Sequence, residues 1–324
     1  MKKILVTGAG GFIGSHLVEK LVESGENVKA LVRYNSKNNW GWLETSKVKK
    51  EIEVVTGDIR DYDSVYSALK GCSEVYHLAA LIGIPYSYVS PLAYIKTNIE
   101  GTYNILQASK EIELENILVT STSETYGTAQ YVPIDEIHPM VGQSPYSASK
   151  IAADQLAISY FLSFNLPVKI VRPFNTYGPR QSARAVIPTI IAQVLSGITK
   201  IKLGSLYPTR DLTFVKDTAD GFIAIAKAKD LFGEITNIGM NNEHSVLECV
   251  QIISEILNIS IEVDSDESRV RPKNSEVERL VCNNSKIITQ TKWLPKYSFK
   301  QGLAETIGWL QDNLSYYKPD IYNI

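Results

Sequence analysis

Tyr146 and Lys150 stand four residues apart in Ser144-Pro145-Tyr146-Ser147-Ala148-Ser149-Lys150, and Thr122-Ser123-Glu124 close an apolar run a short way upstream. Residues i and i+4 share a helix face, so the phenol and the ammonium project together. An ammonium near a phenol favours the phenolate and lowers its pKa from about 10. Such a group takes a proton from a sugar hydroxyl while the carbinol hydrogen departs as hydride. The same pair on a solvated helix would do nothing. Glu124 is harder to explain as structure, because a carboxylate beside a sheet edge is costly unless paired or used.

Hydride needs an acceptor, and the start of the chain offers a place for one. Gly8-Ala9-Gly10-Gly11-Phe12-Ile13-Gly14 follows the strand-like Lys3-Ile4-Leu5-Val6-Thr7. Its working glycines are Gly8, Gly11 and Gly14. A turn without Cβ atoms lets backbone approach a pyrophosphate, which meets the free amides of a helix beginning at Phe12 and Ile13. A tight strand-to-helix turn with no ligand is the plainer alternative. The second strand ends in Arg33 with Asn35 and Ser36 just beyond, and has no acid to bind a ribose 2′-hydroxyl. Arginine suits a 2′-phosphate, so NADP is favoured over NAD, unless Arg33 is merely solvated. Asp58 and Ile59 after the third strand meet the adenine edge, or else Asp58 caps the helix that begins near Asp61.

These groups need a scaffold, and the first half of the chain supplies one. Apolar runs at residues 3–7, 28–33, 52–56, 74–78, 116–122 and 168–173 alternate with helical patterns at 12–24, 61–70, 91–111 and 146–164. That rhythm predicts an α/β fold, a Rossmann-like doubly wound parallel sheet with helices on both faces. After Pro173 the composition shifts, with helices expected near 185–196, 216–228, 245–257 and 300–313. Residues 1–174 read as the dinucleotide-binding domain, 211–238 as a return to it, and 175–324 as a smaller C-terminal lobe. Apolar residues on the two long helices (Tyr103, Ile105, Leu106; Leu156, Ile158, Tyr160, Phe161) suggest a homodimer through 91–111 and 146–164, the alternative being burial within the monomer.

The totals exclude several classes. Lys+Arg 33 against Asp+Glu 35 gives a net charge of -2, without the basic stripe of a nucleic-acid binder. No apolar stretch reaches membrane-spanning length, and the glycines interrupt the faint signal-like start. Cys72, Cys249 and Cys282 are widely spaced and read as reduced thiols of a cytoplasmic protein. His16, His77, His138 and His244 show no ligand spacing with Cys, Asp or another His, so no metal is expected.

Taken together the chain resembles the extended short-chain dehydrogenase/reductases, the nucleotide-sugar epimerase/dehydratase family, over almost its whole length. The resemblance is carried by Gly8, Gly11 and Gly14; Asp58; His77-Leu78-Ala79-Ala80; Asn98 with Gly101-Thr102; Thr122-Ser123-Glu124 and Tyr126-Gly127; and Tyr146 with Lys150. It continues through Arg172-Pro173-Phe174-Asn175, Tyr177-Gly178-Pro179-Arg180, Arg210-Asp211 and Arg271-Pro272. Pro145-Tyr146-Ser147-Ala148-Ser149-Lys150 is similar to sugar 4,6-dehydratases, and Thr-Ser-Glu to GDP-mannose 4,6-dehydratases. Asn35-Ser36, Trp40-Gly41-Trp42 and the stretch from Arg180 to Pro188 resemble the 4,6-dehydratases of legionaminic acid biosynthesis, which act on a nucleotide-linked, here GDP-linked, N-acetylglucosamine.

The resemblance implies a mechanism. Tyr146 removes the C4 hydroxyl proton as hydride passes to a tightly bound nicotinamide, with Thr122 steadying O4 and Lys150 on the nicotinamide ribose. Glu124 then takes the C5 proton, the C6 hydroxyl leaves as water, and hydride returns to C6. It further implies that Leu78, Ala79, Ala80 and Asn98 line the cofactor, and that Asn175, Arg184, Arg210 and Arg271 bind the sugar-nucleotide diphosphate. Arginine forks suit phosphate oxygens. Read as structure alone, Arg184 is a solvated helix-start residue and Arg210-Asp211 an internal ion pair. Ser123 departs from the dTDP-glucose dehydratases, many of which carry a proton-donating Asp there; serine has no such acidity. Rival activities are UDP-glucuronate decarboxylation, which shares Thr-Ser-Glu, and C4 epimerisation, which has no need of Glu124 at C5. A dinucleotide-sensing protein that had lost its chemistry would be expected to lack Tyr146 or Lys150.

Overall fold

The computed structural model describes residues 2–270, 272–319 and 321. Six strands arise from the six apolar runs: Lys3–Thr7 (β1), Asn27–Arg33 (β2), Glu53–Gly57 (β3), Glu74–His77 (β4), Asn116–Thr120 (β5) and Val168–Pro173 (β6). A seventh, Ile235–Ile238, pairs with β6. The sheet is wholly parallel, in the order Ile235–Ile238, β6, β5, β4, β1, β2, β3. The order reverses beside β1, and in such sheets ligands bind outside the carboxyl ends of the strands at that reversal.

Alternate side chains of β1 explain the layering. Ile4 and Val6 pack on one face with Leu17, Val18 and Leu21 of α1 (Phe12–Glu23) and with Ala219, Phe222 and Ile225 of the helix Val215–Lys227. Leu5 points the other way, to Val65 and Leu69 of α2 (Tyr62–Leu69), Ile105 and Leu106, and Ala157. A separate apolar cluster joins Ile187, Ile190 and Ile191 to Phe214, Val250, Ile253, Leu303, Ile307 and Leu310 among the C-terminal elements.

The expected helix over 91–111 is not continuous. After α3 (Ile84–Val89) the chain forms a short helix, α4 (Pro91–Tyr94), a π-helical stretch at Ile95–Glu100, and then α5 (Gly101–Ile112). A π turn widens the backbone locally, and such turns gather at functional sites. Here it carries Asn98. The helix α6 (Pro145–Phe164) starts as expected, with Ser144 and Ser147 forming a reciprocal cap and Pro145 in the first turn. The apolar load of these helices divides. Ile105, Leu106 and Tyr160 are buried within the monomer, whereas Leu92, Ile95, Tyr103, Leu162 and Phe164 stay exposed. Among the described residues no helix is long and apolar enough to cross a membrane.

Candidate active site

Where the sheet order reverses, Thr7 ends β1 and His77 ends β4. The Thr7 hydroxyl lies 2.8 Å from His77 Nδ1 and accepts the amides of Leu78 and Ala79, each at 3.1 Å. His77 Nε2 lies 3.2 Å from Thr102 Oγ1, which itself donates to the Asn98 carbonyl. This pattern assigns a neutral imidazole protonated at Nε2. Burial, helped by the charge of Lys150, pushes the His77 pKa down to about 3. His77 is therefore the post that fixes Leu78-Ala79-Ala80 beside the glycine turn.

Gly8 adopts φ +68°, and a Cβ there would lie 2.8 Å from the Ala79 amide nitrogen. A Cβ on Gly14 would lie 2.2 Å from the Gly8 carbonyl oxygen. Gly11 is the N-cap of α1 and supplies no side chain to the first-turn amides. Free amides in a Cβ-less cradle at a helix start are what a dinucleotide pyrophosphate requires, so the residues present fit that group.

At the end of β2, Arg33 is exposed and its charge bears on Asp58. Asp58 does not cap α2; Asp61 does, accepting the amides of Asp63 and Ser64. Asp58 instead pairs with Arg60, which holds its carboxyl below the usual range. The Asn35 side chain is consumed by its own loop, donating to the carbonyls of Arg33 and Asn39 and accepting the amides of Lys37 and Asn39. It shapes the turn, and Ser36 stays exposed. Ile59 is buried against Gly101, where a Cβ would meet it at 2.7 Å.

Asn98 is likewise a holder. It bonds the Leu81 amide and carbonyl, each at 2.9 Å, and donates to Ser149 Oγ at 2.9 Å. The π turn thereby fastens the loop after β4 to the helix that carries Tyr146.

The strand expected to run through Thr122 ends at Thr120, and Thr122 caps a 3-10 turn, Ser123–Tyr126. That turn brings Thr122 and Glu124 close to Tyr146. The Thr122 side chain lies near enough to favour the phenolate, and the Glu124 charge opposes it. Tyr94 meets the Tyr146 ring edge-on at 6.2 Å. The expectation of a lowered phenol pKa is corrected. Burial dominates and raises it well above 10, Thr122 opposes this, and Glu124 adds to it. Lys150 is also buried, which lowers its pKa, and Asp154 one turn along supports its charge. Its ammonium donates to the Thr120 carbonyl at 2.5 Å. Glu124 is nearly buried, yet among the described residues its carboxylate has neither a cation nor a hydrogen-bond donor.

Beneath these groups lies a network that the sequence reading missed. Asp154 accepts from Ser121 Oγ at 2.5 Å and from Arg172 at 2.7 Å, with both charged side chains fully buried. Arg172 also lies over the Tyr126 ring. The spacing Tyr146, Lys150, Asp154 along one helix face was the available signal.

On the substrate side, Asn175 begins a strand at Asn175–Tyr177, and its buried Oδ1 has no partner. Arg184 is exposed, and its charge bears on Tyr94, whose ring meets Tyr146. Arg210 and Asp211 are not paired with each other. Arg210 bonds Glu276, and Asp211 accepts the amides of Met240 and Cys282. Arg271 lies outside the described residues. All three cysteines are free and buried, and no metal-holding group occurs among the described residues. His16 and His138 bond backbone carbonyls, while His244 stacks on Phe299.

Comparison with known proteins places this architecture. The family described as GDP-mannose 4,6 dehydratase matches residues 5–306. Human dTDP-D-glucose 4,6-dehydratase is 31% identical over 325 residues, covering 98% of this chain and 92% of that protein. The UDP-N-acetyl-alpha-D-glucosaminuronate decarboxylase of Bacillus cytotoxicus is 32% identical over 322 residues, covering 96% and 98%. The crystal structure of DesIV, a dTDP-glucose 4,6-dehydratase from Streptomyces venezuelae with NAD and TYD bound, superposes with a TM-score of 0.88. It is 29% identical and covers 98% of this chain and 99% of that one. With a parallel Rossmann sheet, a glycine turn at its order reversal and a Tyr–Lys helix beside it, the chain belongs to the NAD-dependent sugar-nucleotide 4,6-dehydratase family of extended short-chain dehydrogenase/reductases.

Proposed function

We propose that the protein is a nucleotide-sugar 4,6-dehydratase that converts GDP-linked N-acetylglucosamine to its 4-keto-6-deoxy derivative. One observation carries the reaction type: Glu124, nearly buried and without a countercharge among the described residues, sits within electrostatic reach of Tyr146. A carboxylate held beside the phenol with no cation of its own is free to take a proton in the reaction. The sugar and base rest on the likeness of Asn35-Ser36, Trp40-Gly41-Trp42 and Arg180–Pro188 to the legionaminic acid enzymes.

The residues divide the work as follows. Gly8, Gly11, Phe12, Ile13 and Gly14 hold the dinucleotide pyrophosphate, with Leu78, Ala79 and Ala80 as the facing wall. Arg33 and Ser36 meet the adenosine ribose, and Arg33 favours a 2′-phosphate, hence NADP over NAD. The bound nicotinamide supplies the acceptor and donor of hydride. Tyr146 receives the proton of the C4 hydroxyl, and Thr122 steadies O4. The phenol starts protonated in this buried site, so Lys150 is needed to favour its ionised form. Glu124 takes the C5 proton and hands it to the departing O6; the C6–O6 bond breaks, water leaves, and C5 regains a proton from solvent. Ser123 completes the catalytic set between Thr122 and Glu124, without the acidity to supply the leaving group's proton. Asn175, Arg184, Arg210 and Arg271 hold the diphosphate, a reading supported by the orphaned Asn175 Oδ1.

The domain reading stands as part of the same proposal, with residues 1–174 and 211–238 holding the dinucleotide and the rest of 175–324 the nucleotide sugar. Pairing of Ile235–Ile238 with β6 supports it. Exposed Leu92, Ile95, Tyr103, Leu162 and Phe164 support a homodimer through α4–α5 and α6. The three free thiols support a cytoplasmic setting.

The rival is decarboxylation of a UDP-linked uronic acid, favoured by the equal similarity to the Bacillus decarboxylase. Incubating pure protein with GDP-N-acetylglucosamine, UDP-N-acetylglucosamine and UDP-glucuronate separates them by mass. Loss of water from the GDP sugar supports the proposal; loss of carbon dioxide from the uronate overturns it. Denaturing the protein and identifying the released dinucleotide tests NADP, and release of NAD alone contradicts that part.

A further inference from the structure

Gly10 is the glycine of the turn that a pyrophosphate does not require, since the working positions are 8, 11 and 14. Its neighbour explains it. A Cβ on Gly10 would lie 2.3 Å from the Trp40 carbonyl oxygen, and a Cβ on Gly41 would lie 2.3 Å from the Gly10 carbonyl oxygen. Gly41 also has φ +66°. Two backbones without side chains therefore meet face to face, and the Trp42 amide donates to the Gly10 carbonyl at 3.0 Å.

The segment making this contact is itself well anchored. Asn39 accepts the Gly41 amide at 2.8 Å, and Glu44 accepts the Trp40 amide at 3.0 Å. Leu43 is fully buried in the core beside α1. Ser46 donates to Glu19 of α1 at 2.7 Å, and Glu19 pairs with Arg180 at 2.8 Å. The Trp42 ring leaves the turn and meets two aromatic rings of the C-terminal elements edge-on, Trp309 at 5.2 Å and Tyr316 at 5.1 Å. Trp309 belongs to the helix Phe299–Asn313, whose Leu303, Ile307 and Leu310 enter the C-terminal core.

We infer that Trp40–Ser46 is a strap that retains the dinucleotide by tying the glycine turn, through Trp42, to Trp309 and Tyr316 of the C-terminal elements. This rests on the reading that the glycine turn holds the dinucleotide. The chemistry gives the strap its purpose. A dehydratase returns its cofactor to the starting redox state in every turnover, so the cofactor gains nothing by leaving. A turn held rigid by its neighbour loses less freedom when the pyrophosphate binds, which lengthens residence rather than speeding arrival. Trp42 is a positioning residue in this account, acting on the dinucleotide through Gly10.

The test measures dinucleotide release from the full-length holoprotein, chased with an excess of labelled dinucleotide. Trp42→Ala and Tyr316→Ala are compared with the parent and with Tyr207→Ala, an exposed ring outside the strap. Release is expected to quicken roughly tenfold in Trp42→Ala and severalfold in Tyr316→Ala, an exposed ring lost without touching the turn. Tyr207→Ala should release at the parent rate. Parent-like release from both strap variants overturns the retention role. Fast release from Trp42→Ala with parent-like release from Tyr316→Ala overturns the tie to the C-terminal elements. If Trp42→Ala does not fold, Trp42→Phe and Tyr316→Ala decide between the same outcomes. A parent protein that binds no dinucleotide overturns the underlying reading together with this one, a result distinct from all the others.

Discussion

The Lys150 ammonium donates to the Thr120 carbonyl at 2.5 Å, fastening the helix that carries Tyr146 to the strand that delivers Glu124. Lysine here is both an electrostatic and a mechanical part. Lys150→Met should lower kcat by about 10²–10⁴ while circular dichroism stays near the parent's. Retention of most of the activity would show that Tyr146 ionises without it.

Glu124→Gln separates the two halves of the reaction. The C4 oxidation uses Tyr146, so it should persist, whereas water elimination should fall by about 10² or more. Washing deuterium from solvent into C5 monitors the step directly. Undiminished exchange in Glu124→Gln would assign the C5 base to another group.

The Asp154–Arg172 pair is buried on both sides and joins α6 to the end of β5 through Ser121. Asp154→Asn strands the guanidinium and should cost about 3–5 kcal/mol in urea unfolding. Replacing both partners by Leu and Met should recover most of that loss. Equal losses from the single and double replacements would contradict an electrostatic origin.

Two buried histidines should each lose a stabilising contribution in acid. Burial, then the Arg180 charge, lowers the His16 pKa to about 4, and burial lowers His77 to about 3. Each unfolded histidine binds a proton near pH 6.5 that the native protein refuses. The contribution of these two histidines is therefore complete above about pH 6.5 and falls as pH drops towards 4, by about 1.4 kcal/mol per pH unit for each group, while buried Asp211, its pKa raised to about 7, contributes with the opposite sign. His16→Gln should flatten the dependence of unfolding free energy on pH by one such contribution. Parallel curves for parent and variant would contradict the assignment.

Much of this was legible because periodicity and special residues act locally. The runs that became β1 to β6 alternate with helices at readable intervals, and Ser144-Pro145 marked the start of α6. The glycine turn announced itself because no other residue tolerates those approaches. What was illegible depends on distance in sequence. The π turn at Ile95–Glu100 follows from Asn98 reaching Leu81 and Ser149, contacts no local pattern encodes. The raised phenol pKa of Tyr146 reflects burial, which the i, i+4 spacing to Lys150 could not report. Asn35 looked like a ligand by position, but its own loop consumes both ends of its amide. Gly10 and Gly41 are each ordinary alone; only the fold shows that they face each other.

The most direct measurement follows one hydrogen atom. GDP-N-acetylglucosamine carrying deuterium at C4 should give a keto sugar whose label has moved to the C6 methyl group of the same molecule. Label found again at C4 in a sugar of inverted configuration, or no label movement at all, would contradict the dehydratase reading.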